Sequence, residues 1–267
     1  MKLVYDGNNT AYRCNCTTEL HTKQGERVSA IYGVLNSIRY DIEQLQSIAK
    51  SEVTDVVFVW DFGKSSRRMA LYPEYKGNRG TNTPEDEQWF EEFKHQANFL
   101  HENLHKFGAV SVRFKGWEAD DLIYAVCKEM SGDKVIVSTD EDMLQLVRED
   151  VTVYSPIKKK FINNVNFMRE VGVPLTGFLS YKLLKGDSSD NIPGIKGIGE
   201  KRGKELITKY GSLNALLRDK VNLEKSKVTQ KIFTMEGLQL LERNNHLMNL
   251  TMVNYEGVEE ELKENLS

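Results

Sequence analysis

The stretch Asp55–Trp60 decides the fold class of this chain. It reads Asp-Val-Val-Phe-Val-Trp, and Asp61 follows it directly. A short apolar run without polar alternation predicts a strand that is buried on both faces, as in a parallel sheet. Two further runs of the same kind are Lys2–Tyr5 and Lys134–Ser138. The sequence therefore predicts three buried strands.

Helical patterns lie between these strands. Apolar residues recur every three or four positions from Val28 to Ile48, which is the spacing of an amphipathic helix. Residues 85–107 predict a second long helix that ends at Gly108, and Ala119–Met130 predicts a third. Strands that alternate with helices predict an α/β fold with a mostly parallel central sheet flanked by helices.

The character of the chain changes after about residue 170. Glycines and lysines become dense from Lys182 to Lys204, and helical patterns continue to an acidic tail. We therefore predict an α/β domain over residues 1–170 and a smaller helical domain over residues 171–267.

Composition limits the class of protein. The chain has 267 residues, a net charge of −3 and three cysteines, too few for a disulfide framework. No run approaches the ~18 apolar residues of a membrane helix, and the first residues do not resemble a signal peptide. A cytoplasmic location without membrane association is the expectation. The net charge by itself argues against a nucleic-acid partner.

Acidic residues cluster at the predicted carboxyl edge of the sheet. Packed carboxylates repel each other unless a cation neutralises them, and oxygen donors favour Mg²⁺ or Mn²⁺ over zinc. Two such ions can hold the attacking and leaving oxygens of a phosphodiester. The candidate ligands are Asp6, Asp61, Glu118, Asp120, Asp121, Asp140, Asp142, Asp187 and Asp190.

A local explanation is also open for some of these acids. Helix capping accounts for Asp140 or Glu118 taken singly, but not for so many acids near one edge. Asp187 and Asp190 are three positions apart, so one helical turn would place both on one face.

A glycine-rich segment follows at Asn191–Gly203. It contains Pro-Gly-Ile-Lys-Gly-Ile-Gly between two helical patterns, which is typical of a helix–hairpin–helix element. Such an element binds the phosphate backbone of a duplex without contacts specific to the base sequence. A simple glycine-rich connector is the alternative. The candidate DNA-binding residues are Gly194, Lys196, Gly197, Gly199, Lys201 and Arg202.

A basic stretch runs from Lys64 to Arg79, with five cations against one anion. Its position after Asp61 predicts a phosphate clamp with aromatic rings available to stack on bases. Lys76 and Arg79 are the candidates for steadying the scissile phosphate. The candidate DNA contacts are Lys64, Arg67, Arg68 and Tyr75.

A zinc-protease pattern is a competing interpretation. His101-Glu102-Asn103-Leu104-His105 matches His-Glu-x-x-His. The third histidine of the longer pattern falls on Ser111, and a catalytic zinc usually takes three protein ligands. Polar residues on the outer face of an amphipathic helix explain the pattern better.

Four segments together resemble the motif series of the 5′-nuclease, or flap endonuclease, superfamily. The chain is most similar to bacteriophage 5′-3′ exonucleases and to the 5′-nuclease domain of bacterial DNA polymerase I. The resemblance covers about residues 2–250 in the expected order. The segments are Pro73–Arg79, Trp117–Leu122, Ser138–Met143 and Lys185–Gly194.

The resemblance implies a role for each matching position. It implies a first ion held mainly by Asp6, Asp61, Glu118, Asp120 and Asp121, and a second associated with Asp140, Asp142, Asp187 and Asp190. It implies a helical arch over about residues 76–116 with Lys76 and Arg79 at its base, and phosphate contacts by Lys182, Lys201 and Arg202. The helix–hairpin–helix, at about residues 182–210, is implied to bind the downstream duplex with a K⁺ ion. Residues 84–94 depart from a basic arch because they carry a net charge of −4.

The predicted function is a structure-specific 5′-3′ exonuclease or flap endonuclease that acts with two Mg²⁺ ions in DNA replication or repair. The expected partner is DNA with 5′ ends, flaps or nicks, in a bacterial cell or phage-infected host. The expected state is a monomer, with a single-strand-binding protein or polymerase as a candidate partner. A nuclease that removes RNA primers from RNA–DNA hybrids, and a non-catalytic structure-specific DNA-binding protein, are the alternatives.

The net charge is compatible with this function. Once the nine candidate ligands are set aside, the rest of the chain carries +6. Local basic patches can then bind DNA despite an acidic total.

Overall fold

The structure is a computed structural model and describes residues 1–80 and 83–266. Its strands are β1 (Lys2–Asp6), β2 (Asp55–Val59), β3 (Val110–Val112), β4 (Lys134–Val137), β5 (Val151–Ser155), β6 (Lys160–Ile162), β7 (Gly186–Asp187) and β8 (Ile192–Pro193). Its α-helices are α1 (Gly7–Thr17), α2 (Ser29–Ala49), α3 (Ser66–Leu71), α4 (Pro84–Asn103), α5 (Ala119–Glu129), α6 (Phe167–Val171), α7 (Phe178–Lys185), α8 (Glu200–Tyr210), α9 (Leu213–Arg218), α10 (Lys220–Leu223), α11 (Met235–Met248) and α12 (Glu259–Leu266).

The central sheet has the strand order β3-β2-β1-β4-β5-β6. The pairs β1–β2, β1–β4, β2–β3 and β4–β5 are parallel. Tyr5 stacks on Phe58 with ring centroids 4.4 Å apart, and both rings are fully buried. Burial on both faces explains why these strands are apolar throughout. The predicted α/β class and mostly parallel sheet are confirmed.

The second predicted helix is shorter than its pattern. A capping box between Thr83 and Asp86 starts α4, which ends at Asn103, and a 3-10 turn over Leu104–Phe107 replaces its last turn. Gly108 then has a φ of 78°, a conformation that glycine adopts readily. The predicted arch, about residues 76–116, includes positions 81 and 82, which lie outside the described residues. No described helix is long and apolar enough to cross a bilayer.

The chain divides into two compact units. The first comprises Met1–Lys64, Thr81–Phe161 and Asn254–Ser267, and the second comprises Ser65–Gly80 and Ile162–Val253. This grouping differs from a division at residue 170 in three segments, which are residues 65–80, 162–170 and 254–267. Within the second unit, Arg68 Nε donates to the Leu247 carbonyl at 2.9 Å. Within the first, the Tyr255 hydroxyl donates to Glu129 Oε1 at 3.0 Å.

The glycine-rich segment lies between α7 and α8 in the second unit, as the helix–hairpin–helix prediction requires. At its start, the short pair β7–β8 brings Gly186 and Gly194 so close that a Cβ on Gly194 would lie 2.2 Å from the Lys185 carbonyl carbon. Asp187 is part of β7, and Asp190 lies in the turn that leads to β8. The prediction that one helical turn carries both acids is therefore wrong, because the chain forms a tight strand pair here.

Candidate functional site

Asp6 is the buried centre of the acidic edge in the first unit. It ends β1, and its Oδ1 accepts the Asn9 N–H at 3.0 Å, so it also caps α1. Its Oδ2 accepts from the Ser138 hydroxyl at 3.0 Å, and that hydroxyl oxygen accepts the Asp140 N–H at the same distance. The carboxyl ends of β1 and β4 are thus joined through Ser138.

Two asparagines that follow Asp6 hold the other strand ends. Asn8 Oδ1 accepts the Asp61 N–H at 3.0 Å. Asn9 Oδ1 accepts from both the N–H and the hydroxyl of Thr139, at 3.1 and 2.9 Å. The first turn of α1 therefore fixes the ends of β2 and β4 relative to Asp6. Sequence reasoning missed both residues.

Asp61 connects the sheet to the candidate ligands at the amino terminus of α5. Its Oδ1 accepts the Ala119 N–H at 2.7 Å, which brings the amino terminus of α5 to the end of β2. Glu118 and Asp121 are buried there, whereas Asp61 itself is exposed. Capping explains part of the pattern, because Asp140 Oδ1 also accepts the Asp142 N–H at 2.8 Å.

Burial and repulsion act together on Asp6. Burial, together with the charges of Asp61 and Asp140, raises the pKa of Asp6 to about 7, against hydrogen bonds from Asn9 and Ser138 that lower it. A carboxylate held in this way is favoured as an anion only when a cation is near. An oxygen-only donor set fits a hard divalent ion.

The carboxylates are near one another without forming a finished coordination shell. Across residues 1–80 and 83–266, no group of three or more His, Cys, Asp or Glu side chains is placed to hold an ion as it stands. The first unit therefore presents a set of candidate donors at one edge, and their assignment as ligands stays a prediction.

We expect Asn9→Ala to weaken metal binding. The substitution removes the acceptor for Thr139 and so loosens the end of β4 beside Asp6. Residues that orient ligands typically contribute about 10- to 100-fold to metal affinity. The Mg²⁺ concentration that half-saturates the site should rise by at least about tenfold. Asn103→Ala, which removes a bond to the Phe99 carbonyl and a bond from Lys106 Nζ on the surface, is the control. Equal Mg²⁺ dependence of the two variants would refute the role of Asn9.

In the second unit, Asp187 and Asp190 pair with cations. Lys182 Nζ lies 2.5 Å from Asp187 Oδ2. Arg79 lies 2.6 Å from Asp190 Oδ1, and the Tyr75 hydroxyl donates to Oδ2 at 3.0 Å. Arg79 and Tyr75 of the basic stretch are therefore anchored to Asp190, in the turn between β7 and β8.

Three predicted DNA contacts are buried instead of exposed. Arg68 is buried, Tyr75 is 5% exposed, and Lys182 is 3% exposed. Arg68 bonds to the Leu247 carbonyl and lies over the Tyr75 ring at 5.8 Å. Their surroundings do not support direct contact with a phosphate or base, because each polar end bonds within the unit.

The remaining predicted cations lie nearer the surface. Arg67 is exposed, although its Nη1 donates to the His246 carbonyl at 2.8 Å, and Lys64 is exposed in the first unit. Lys76 is partly buried and has a φ of 54°, with its N–H donating to the Asp190 carbonyl at 2.9 Å. Arg79 is exposed apart from its pairing with Asp190.

The glycine hairpin presents its cations to solvent. Lys196, Lys201 and Arg202 are exposed, whereas Ile195 and Ile198 are buried beneath them. Gly197 has a φ of 97°, and its carbonyl accepts from Arg202 Nη1 at 2.6 Å. Gly199 precedes the first turn of α8. This arrangement can offer backbone N–H groups and positive charge to a phosphate.

Two family models together match almost the whole chain. Residues 1–172 match the 5′-3′ exonuclease N-terminal resolvase-like domain, and residues 173–265 match the 5′-3′ exonuclease C-terminal SAM fold. The chain belongs to the 5′-3′ exonuclease family. This family consists of metal-dependent nucleases, so the predicted enzyme class is confirmed.

Relatives of this chain include much longer proteins. It is 34% identical to the thermostable DNA polymerase I of Thermus aquaticus over 89% of its own length and 27% of that protein. It is also 34% identical to DNA polymerase I of Mycobacterium bovis, over 93% of its length and 27% of that protein. The chain thus spans about a quarter of these relatives.

Solved structures share the fold along the whole chain. The T5 D15 protein, co-crystallised with metal ions, has a TM-score of 0.81 at 24% identity, covering 99% of this chain and 98% of that one. A bacteriophage T5 D15 flap endonuclease complex with DNA and metal ions has a TM-score of 0.80 at 23% identity, covering 99% and 97%. At this identity the likeness establishes the fold.

The structure does not support the zinc-protease interpretation. His101 lies on α4, whereas His105 is exposed on the 3-10 turn that follows. His101 Nδ1 lies 2.8 Å from the Ser111 hydroxyl, which accepts the Trp60 indole N–H at 2.9 Å. The Ser111 hydroxyl therefore links the His101 ring to the Trp60 indole. Burial lowers the pKa of His101 to about 4, so this neutral histidine supports the core.

Proposed function

We propose that this protein hydrolyses phosphodiester bonds in DNA at 5′ ends and 5′ flaps, using two divalent metal ions, Mg²⁺ or Mn²⁺. The observation that carries the proposal is the buried Asp6 carboxylate, which two other strand-end carboxylates repel. Such an arrangement is unfavourable for a protein that only needs to fold, and a divalent cation relieves it. This argues against a non-catalytic DNA-binding protein.

The first unit supplies the proposed metal ligands Asp6, Asp61, Glu118, Asp120 and Asp121, with Asp140 and Asp142 beside them. Bound divalent ions would activate water and stabilise the charge that develops on the phosphate. Hydrogen bonds of Asn8, Asn9 and Ser138 fix the positions of the strand ends around Asp6. Asp187 and Asp190 stay predicted ligands.

The second unit supplies the proposed contacts with DNA. Lys196, Lys201 and Arg202 are exposed on the glycine hairpin and would bind duplex phosphates independently of sequence. A K⁺ ion at the hairpin carbonyls is part of this proposal. Lys76 and Arg79 would contact the phosphate backbone near the cut.

A double variant tests the metal function. Asp120→Asn/Asp121→Asn should lower cleavage of a labelled 5′-flap duplex in Mg²⁺ by at least about a thousandfold, because metal catalysis contributes several kcal/mol. Binding of the same duplex in Ca²⁺ should persist. The control is Asp133→Asn, an exposed aspartate that precedes β4 at the opposite edge of the sheet. Unchanged cleavage by the double variant would refute the proposal.

The proposal also concerns the biological substrate. The polymerase relatives and the D15 flap endonuclease complex support a role in DNA replication or repair, with a polymerase as partner. Recognition through the phosphate backbone leaves removal of RNA primers as the second candidate. Digesting flap, nicked and RNA-primed duplexes side by side ranks these substrates, and preferential cleavage of the RNA-primed duplex would favour the second candidate.

A further inference from the structure

An exposed aromatic ring stands directly after the candidate ligand Asp61. Phe62 is 43% exposed. Its N–H donates to the Trp117 carbonyl at 3.1 Å, and its own carbonyl accepts the Gly116 N–H at 2.6 Å. Hydrogen bonds on both sides of the residue therefore fix the backbone that carries this ring.

A cation lies against the same ring. The guanidinium carbon of Arg113 is 4.7 Å from the Phe62 ring centroid, and Arg113 Nη1 donates to Asn98 Oδ1 at 2.7 Å. Arg113 directly follows β3, whose Val112 pairs with Val59 of β2. Phe62 and Arg113 thus occupy the same carboxyl edge of the sheet as Asp61.

The chemistry of this pair matches one class of ligand. Single-stranded nucleic acid is held by aromatic rings that stack on bases, with arginine adding charge and cation–π attraction. Exposed Lys64 and Lys115 lie two positions along the chain from Phe62 and Arg113. Their positive charge offsets the repulsion between DNA and an acidic edge.

We propose that Phe62 is a stacking platform for the base of the nucleotide beside the phosphodiester that is cut. The inference rests on the proposed nuclease function and deepens it. Asp61 and Phe62 are consecutive, so a base on this ring belongs to the nucleotide nearest the candidate metal ligands. Stacking is tolerant of sequence, as a structure-specific nuclease requires. Phe62 is a positioning residue and takes no part in the chemistry.

The test compares aromatic and aliphatic side chains at position 62. A 5′-flap duplex carries the fluorescent base 2-aminopurine on either side of its junction, and binding is measured in Ca²⁺. Wild-type protein and Phe62→Tyr should quench the fluorescence at one of these positions. Phe62→Leu should lose the quenching and bind about tenfold more weakly, within the range for loss of one aromatic–base stack. The matched control is Phe107→Leu, because Phe107 is 63% exposed and precedes β3 at the opposite sheet edge.

A second flap substrate has an abasic nucleotide in place of the stacked one, which completes a double-mutant cycle between the base and Phe62. Removing the stacked base should weaken binding to wild-type protein by about the same factor and leave binding to Phe62→Leu nearly unchanged. An equal abasic penalty in both proteins overturns the inference, as does equal behaviour of Phe62→Leu and Phe107→Leu. If either result is found while wild type cleaves the flap normally, the stacking role of Phe62 is refuted and the proposed nuclease function is kept. If wild type neither binds nor cleaves it, both fail.

Discussion

Replacing Asp6 with asparagine is expected to abolish cleavage and, at the same time, to stabilise the metal-free protein. Asn preserves the shape of the side chain and can still accept the Asn9 N–H that caps α1. It cannot supply negative charge to a metal ion. Cleavage of a 5′-flap duplex in Mg²⁺ should fall by at least about a thousandfold, the equivalent of several kcal/mol of transition-state stabilisation.

The gain in stability follows from the pKa of Asp6, which burial raises from 3.8 to about 7 in the folded protein. The folded pKa of Asp6 lies above its unfolded pKa. The contribution of protonated Asp6 to the unfolding free energy is therefore fully present below pH ~4 and is lost as the pH rises through about 7. Each pKa unit corresponds to ~1.4 kcal/mol, so the cost at pH 8 reaches at most about 4 kcal/mol. Asparagine does not ionise and avoids this cost.

Urea unfolding in EDTA at pH 4 and pH 8 measures the effect. Asp6→Asn should exceed wild type in unfolding free energy at pH 8, and the difference should shrink towards pH 4. Adding Mg²⁺ should stabilise wild type more than the variant, because only an ion that binds the folded state adds stability. Asp133→Asn should match wild type throughout. If the variant is less stable than wild type at pH 8 without metal, ionised Asp6 does not destabilise the metal-free protein.

The central strands were predictable because burial on both faces leaves a continuous apolar run. The runs at residues 2–5, 55–60 and 134–138 became β1, β2 and β4, in the middle of the sheet. Strands β3 and β6 lie at the edges and contain three residues each, too few to produce a pattern. Their existence depends on pairing with distant partners.

The acidic residues of the site could be found from sequence, whereas the residues that hold them could not. Carboxylates near strand ends suggest metal chemistry by their type alone. Asn8 and Asn9 look like ordinary residues of a turn or cap, and their importance comes from bonds to residues 53 and 130 positions away. Long-range bonds of this kind leave no trace in local sequence.

For two of the basic residues, the sequence suggested a contact with DNA where the structure shows a contact within the protein. Arg68 was a candidate DNA contact because it lies in the basic stretch after Asp61, and Lys182 because the family resemblance implied a phosphate contact there. Their carbonyl and carboxylate partners become visible only in the folded chain. A cation near a functional motif can therefore support the fold instead of contacting the substrate, and the distinction requires the partner to be known.

The Lys182–Asp187 pair gives the last prediction. Lys182→Met is expected to destabilise the protein by about 3 kcal/mol at pH 7, because removing one partner of a buried pair leaves the other charge uncompensated. Burial alone raises the pKa of Asp187, but the charge and hydrogen bond of Lys182 outweigh it and lower that pKa to about 2. The folded pKa lies below the unfolded one, so the contribution of Asp187 is present above pH ~4 and is lost as the pH falls through about 2.

A second substitution separates charge from packing. Lys182→Met/Asp187→Asn removes both charges and should recover most of the lost stability in urea unfolding. Lys201→Met is the matched control: Lys201 is exposed, so stability should change by less than about 0.5 kcal/mol. Lys201→Met should instead weaken duplex binding and reduce its salt dependence by about one phosphate contact. If the double variant is no more stable than Lys182→Met, the methylene stem of Lys182, and not its charge, is what the fold requires.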